Sequence, residues 1–169
     1  MFARANLKIS EDLIEAFATA QDFSNNIRCL KVSIKDETMI KDQEMIRNSD
    51  SKSDFELMVG AMVVETEPCL LLYCYVDDCQ QFLSWILIGF IPGSCKVREK
   101  MLYSSSRDDL KRTLGRNLIK SEYSANELSE FTWDSVISVV GDGRPDSSAM
   151  TPRELMMQQE KVTMIQLCC

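Results

Sequence analysis

The chain has 169 residues, 45% of them hydrophobic and 27% charged, a composition that suits one well-cored soluble domain with a modest appendage. It contains no histidine and carries a net charge of −7, which removes the usual catalytic triads and mixed Cys/His metal sites and argues against general nucleic-acid affinity. Its longest apolar runs are strand-sized rather than membrane-spanning, and residues 1–6 lack the apolar stretch of a secretory signal, so the expected location is the cytoplasm.

Ser10, followed by Glu11 and Asp12, opens a first helix with a capping hydroxyl and two acids in the first turn. Leu13, Ile14, Phe17 and Ala18 give it an apolar face, and Ser24-Asn25-Asn26 is expected to end it near Phe23. Residues 28–35 alternate, with Leu30, Val32 and Ile34 facing one way and Cys29, Lys31, Ser33 and Lys35 the other. That pattern predicts a half-buried strand, which Asp36-Glu37 turns back into a second strand over residues 38–47. Residues 48–53 are polar and expected to be loop, and a second helix is expected over 54–64, with Phe55, Met58, Val59 and Met62 on one face.

Residues 69–76 and 81–91 are the most continuously apolar segments. They predict central strands covered on both faces, paired antiparallel through the short connection at 77–80. A long helix is expected over 96–114, closed by Gly115. A short strand over 118–123 and a last helix over 132–140 complete a domain of residues 1–140. Gly141 to Ala149 has linker composition, and Thr151-Pro152-Arg153-Glu154 is a well-formed helix start. Residues 141–169 are therefore expected to be a linker and a C-terminal helical appendage. The fold class is α/β, a mixed central sheet flanked by helices.

Seven cysteines lie mostly within apolar runs, as buried thiols do, rather than in a secreted disulfide framework. Cys69, Cys74 and Cys79 are spaced by five, but strand alternation sets Cys74 on the face opposite the other two, which speaks against a metal site. The terminal Cys168-Cys169 pair matches no prenylation box. Gly141-Asp142-Gly143 lacks the lysine and helix of a phosphate cradle, and Asp77-Asp78 reads as a solvated turn. No residue constellation supports catalysis, and no cofactor or metal is expected.

The long helix is the informative segment. Residues 96–120 hold eight basic and three acidic side chains, whereas the remainder holds eleven basic and twenty-three acidic. A basic segment on an acidic protein marks either a site for an acidic partner or a solvated helix face. The apolar residues of the helix also fall on two faces. At 100° per residue Val97 and Met101 lie together, while Tyr103, Leu110 and Leu114 lie roughly 200° away. One face suffices to cover a sheet, so Val97 and Met101 form a candidate contact patch.

The run Val97-Arg98-Glu99-Lys100-Met101-Leu102-Tyr103, followed by small residues, Leu110-Lys111-Arg112 and Gly115, resembles the long actin-binding helix of the ADF/cofilin family. Within that family the resemblance is greatest to the N-terminal domain of twinfilins. Ser10-Glu11-Asp12, Leu30 to Ile34, Glu67-Pro68-Cys69, Ser84-Trp85-Ile86 and Phe90-Ile91-Pro92 fit the same pattern, and the similarity runs from about Leu7 to Val140. The resemblance implies the ADF-homology (gelsolin-like) fold. It also implies a non-enzymatic cytoskeletal role in which the long helix enters a cleft between actin subdomains and the domain binds, and can sequester, actin monomers. Arg98 and Lys100 match the family's basic actin-contacting pair, and Val97 and Met101 its apolar face. Lys111 and Arg112 match basic positions linked to actin or phosphoinositide contacts, with a solvated helix face as the alternative. A filament-severing cofilin type and a glia-maturation-factor-like binder of an actin-related complex are the other readings. Residues 1–6 contain neither serine nor glycine, so phosphoregulation of the cofilin kind is not expected.

Overall fold

The computed structural model describes residues 7–76 and 83–140. The expected 77–80 connection, the linker and helix of 141–169, and Cys79, Cys168 and Cys169 lie outside them.

The first element is a strand that the alternation pattern missed, β1 (Lys8–Ile9), only two residues long. Helix α1 (Glu11–Ala20) follows, with the Ser10 hydroxyl accepting from the Leu13 amide. It stops three residues earlier than expected, and Phe23–Asn25 form a separate turn of 3₁₀ helix that ends at Asn26 in the left-handed region. Strands β2 (Ile27–Lys35) and β3 (Thr38–Ile46) form the expected hairpin. Asp36 and Glu37 both take positive φ at its tip, the geometry of the tight turn whose twist matches paired strands.

Helix α2 spans Ser51–Met62 and so begins inside the stretch expected to be loop. The polarity of that stretch is helix-capping chemistry, since the Asp50 carboxylate accepts from the Ser53 amide at 3.3 Å. Strands β4 (Cys69–Val76) and β5 (Leu83–Phe90) pair antiparallel, as expected. Helix α3 (Val97–Leu114) is the longest element among the described residues, with Gly115 at φ 116° just beyond it. Strand β6 (Ile119–Ala125), a short 3₁₀ turn at Leu128–Glu130 and helix α4 (Trp133–Val140) complete the described chain.

The six strands lie in the order β1-β3-β2-β4-β5-β6. β1 pairs parallel with β3 and β6 parallel with β5, and the inner pairs are antiparallel, so the sheet is mixed. Alternation along β4 feeds two cores. Leu70, Leu72 and Cys74 meet Leu13, Phe17 and Leu110 of α1 and α3 on one face. Leu71 and Tyr73 meet Phe55, Met58 and Val136 of α2 and α4 on the other. Each such side chain, fully buried, contributes about 1.5–3 kcal/mol of transfer free energy, so the two central strands tie both helix layers to one sheet.

One strand differs from its expectation. β2 is not half-buried, because it lies between β3 and β4 with a helix layer on each side. Cys29 is buried against α2, Leu30 and Val32 against α1, and even Arg28 and Lys31 are over nine-tenths covered. The two cations keep carboxylate partners, Arg28 Nε on Asp54 at 2.9 Å and Lys31 Nζ within 3.6 Å of Asp42.

Cys69 and Cys74 do face opposite sides of the sheet, and both are buried. Burial pushes each thiol up to about 11, and Cys29, fully enclosed, is raised further still. Because the thiolate is the reacting species, native protein treated with iodoacetamide at pH 8 should leave Cys29, Cys69 and Cys74 unmodified. All three should react after unfolding in urea. Peptide mapping by mass spectrometry reads the outcome, and labelling of Cys69 or Cys74 within minutes under native conditions would contradict this packing.

Candidate functional site

Helix α3 is built in two halves. Its sheet-facing residues are Tyr103, Ser106, Leu110 and Leu114, all buried. They recur at three- and four-residue spacing, so they form one stripe. Ser106 is small enough to be fully covered, and its hydroxyl donates back to the Tyr103 carbonyl at 2.9 Å. None of residues 97–102 is buried. The first turn and a half of α3 therefore projects past the packed stripe.

Val97 is 72% exposed and Met101 57% exposed. Separated by four residues, they stack on one face of the projecting segment. Arg98 is exposed and Lys100 half-buried; by helical rotation the two flank the Val97–Met101 strip, one on each side. Among the described residues Arg98 forms no ion pair, whereas Lys100 Nζ donates to the Gly93 carbonyl at 2.8 Å. Glu99 turns back to accept from the Lys96 amide at 3.3 Å, closing the helix start. An apolar strip bordered by two cations is the arrangement that buries area and steers an acidic partner at once.

Lys111 and Arg112 sit elsewhere. They lie fourteen and fifteen residues after Val97, about 20 Å along the helix axis, so they cannot form one cluster with Arg98 and Lys100. Their charges are also engaged within the domain. Lys111 Nζ pairs with Glu122 of β6 at 2.8 Å, and Arg112 pairs with Asp109 one turn back. Arg116 is held similarly by Asp108 at 3.0 Å. With Lys111, Arg112 and Arg116 paired, the cations without an ion pair among the described residues of this segment are Lys96, Arg98 and Lys100 at one end of α3 and the half-buried Arg107 midway along it.

Three tethers hold that end, and only their residue types were visible in the sequence. Tyr103 Oη accepts from the Ile34 amide of β2 at 3.1 Å, Lys100 reaches Gly93, and Cys95 Sγ lies 3.8 Å from the Thr66 carbonyl. Tyr103 had registered only as an apolar position. Burial raises its phenol above the usual range, so the hydroxyl stays protonated. Among the described residues no group of three acidic or cysteine side chains could hold a metal ion, and no helix is long and apolar enough to cross a membrane.

The sequence model of the cofilin/tropomyosin-type actin-binding proteins matches residues 6–141. The twinfilin of Dictyostelium discoideum is 32% identical over 130 residues, covering 76% of this chain and 38% of that protein. The twinfilin of Anopheles gambiae is 32% identical over 136 residues, covering 78% and 38%. The chain thus spans under two fifths of the length of these curated relatives. Among solved structures, Eh twinfilin superposes with a TM-score of 0.68 at 32% identity, over 78% of this chain and 95% of that one. A cofilin from Streptomyces griseoflavus gives 0.65 at 18% identity, over 82% and 100%, and shares the fold. With the mixed six-stranded sheet, the long α3 and a match across nearly all the described residues, the chain belongs to the cofilin/tropomyosin-type actin-binding family, as an ADF-homology domain similar to those of twinfilins.

Proposed function

We propose that this chain is a non-catalytic cytoplasmic domain that binds actin monomers through the N-terminal half of α3 and so regulates filament dynamics. The observation that carries this reading is the projecting segment itself. Val97 and Met101 are exposed on a helix whose opposite face is already packed, and Arg98 and Lys100 border them. Apolar burial in a cleft supplies most of the affinity, and the two cations orient the domain on an acidic surface. A pull-down comparing monomeric with filamentous actin tests it. Retention of monomeric actin in preference to filaments is expected, and retention of neither would overturn the proposal.

Lys111 and Arg112 take a lesser part in this reading, because an incoming partner must compete with Glu122 and Asp109 for them. A phosphoinositide headgroup, as a second ligand of the basic helix, faces the same competition. A severing, cofilin-type activity calls for a second basic surface, and Lys111 and Arg112 in the C-terminal half of α3 are already paired. Monomer binding is therefore the reading adopted.

The division of the chain after Val140 belongs to the same proposal. α4 is described through Val140, and Val136 within it is fully buried in the core, so a chain cut at Gly141 keeps both helix layers. Its urea midpoint should match that of the full chain within error, with the slope unchanged. A loss of several kcal/mol would assign the last segment to the folded core.

A further inference from the structure

We infer that Tyr103 is a positioning residue for the docking segment of α3, acting through its hydroxyl on the edge of β2; this rests on the actin-docking reading above. β2 outruns its neighbour. Its pairing with β4 ends at Val32 opposite Leu70, whereas β2 itself continues to Lys35. The Ile34 amide, past the last of these pairs, donates to Tyr103 Oη at 3.1 Å. A buried amide without an acceptor costs stability, so the phenol and the strand end satisfy each other.

The consequence lies in where Tyr103 stands. It is the first buried residue of α3, and residues 97–102 ahead of it bury no side chain. Met101 and Val97 are two and six residues away, about 3 and 9 Å along the axis. The projecting segment is a short lever, and Tyr103 is the side chain at its base that bonds to the sheet. Further out it is held by Lys100 on Gly93, an exposed contact, and by the weak thiol bond of Cys95 to Thr66. Freeing the hydroxyl contact leaves the ring in the core and the helix formed, but loosens the angle at which Val97 and Met101 are presented. A partner must then restore that order on binding, and affinity falls accordingly.

Tyr103→Phe tests this, because it removes one oxygen and keeps the ring. Hydrogen exchange read by NMR or mass spectrometry, which needs no partner, should show the Ile34 amide and those of residues 100–102 exchanging several-fold faster than in the parent. Actin-monomer affinity, measured where urea titration shows the variant fully folded, should weaken about fivefold, the factor of one lost hydrogen bond. A purely structural tyrosine would lower the urea midpoint and leave affinity unchanged, so parent-like affinity in the folded variant overturns the inference. Parent-like exchange across 100–102 overturns it as well. Should the parent itself fail to retain monomeric actin, the docking reading falls, and the exchange measurement still decides whether Tyr103 holds the segment.

Discussion

Replacing Asp54 by alanine is expected to cost about 3–5 kcal/mol of folding stability, the range for leaving a buried charge without its partner. Asp54 is fully buried on α2, and its carboxylate accepts three hydrogen bonds: from Arg28 Nε at 2.9 Å, the Asn48 amide at 3.1 Å and the Ser49 amide at 3.0 Å. Arg28 in turn donates to the carbonyls of Cys74 and Ser49 and to the Ser51 hydroxyl. One ion pair thus joins β2, β4, the start of α2 and the loop between β3 and α2. Alanine at 54 strands the guanidinium, only 3% exposed, and orphans two amides. Asp54→Asn keeps the shape and one acceptor oxygen while losing the charge, so its cost should fall between parent and alanine. Urea unfolding with an unchanged slope and a shifted midpoint is the check. A loss under about 1 kcal/mol, typical of substitutions elsewhere, would show that the carbonyls alone hold Arg28.

The second large effect concerns binding. Replacing Arg98 and Lys100 together by alanine should leave the fold intact, because neither is buried and surface changes usually shift stability by under about 0.5 kcal/mol. Actin-monomer affinity should weaken by about 2 kcal/mol or more, the hot-spot threshold, which is roughly thirtyfold in dissociation constant. Met101→Ala should also weaken binding, but with a smaller dependence on salt, since it removes apolar contact rather than charge. Fluorescence titration of labelled monomeric actin at two ionic strengths separates the two contributions. A folded double variant that binds as tightly as the parent would refute this site and leave the fold assignment standing.

The two expectations differ in how far each could be read from the chain alone. The projecting patch on α3 was legible because helical rotation is local geometry. Val97 and Met101 lie on one face and Tyr103, Leu110 and Leu114 on another, whatever the helix packs against. The continuous apolar runs of β4 and β5 likewise announced central strands, since only a strand covered on both faces needs no polar side. Helix starts at Ser10 and Gly115 as a stop were visible for the same reason, capping being a short-range bond.

What lay beyond the sequence depended on which segments meet. Lys31 looked like the wet side of a half-buried strand, and became interior only because β2 is flanked by β3 and β4 under two helix layers. The Arg28–Asp54 pair links residues 26 apart, and the bond from the Ile34 amide to Tyr103 spans 69. Lys111 read as a free cation until β6 brought Glu122 beside it, whereas the Asp109–Arg112 pair, three residues apart on one helix, is local geometry. By itself the sequence determined the periodicities, the caps and the spare face of α3, because these follow from bonds within a few residues. The order of the strands, the burial of β2 and the choice of which cations stay free were decided by tertiary structure, because desolvation and ion pairing act on neighbours in space.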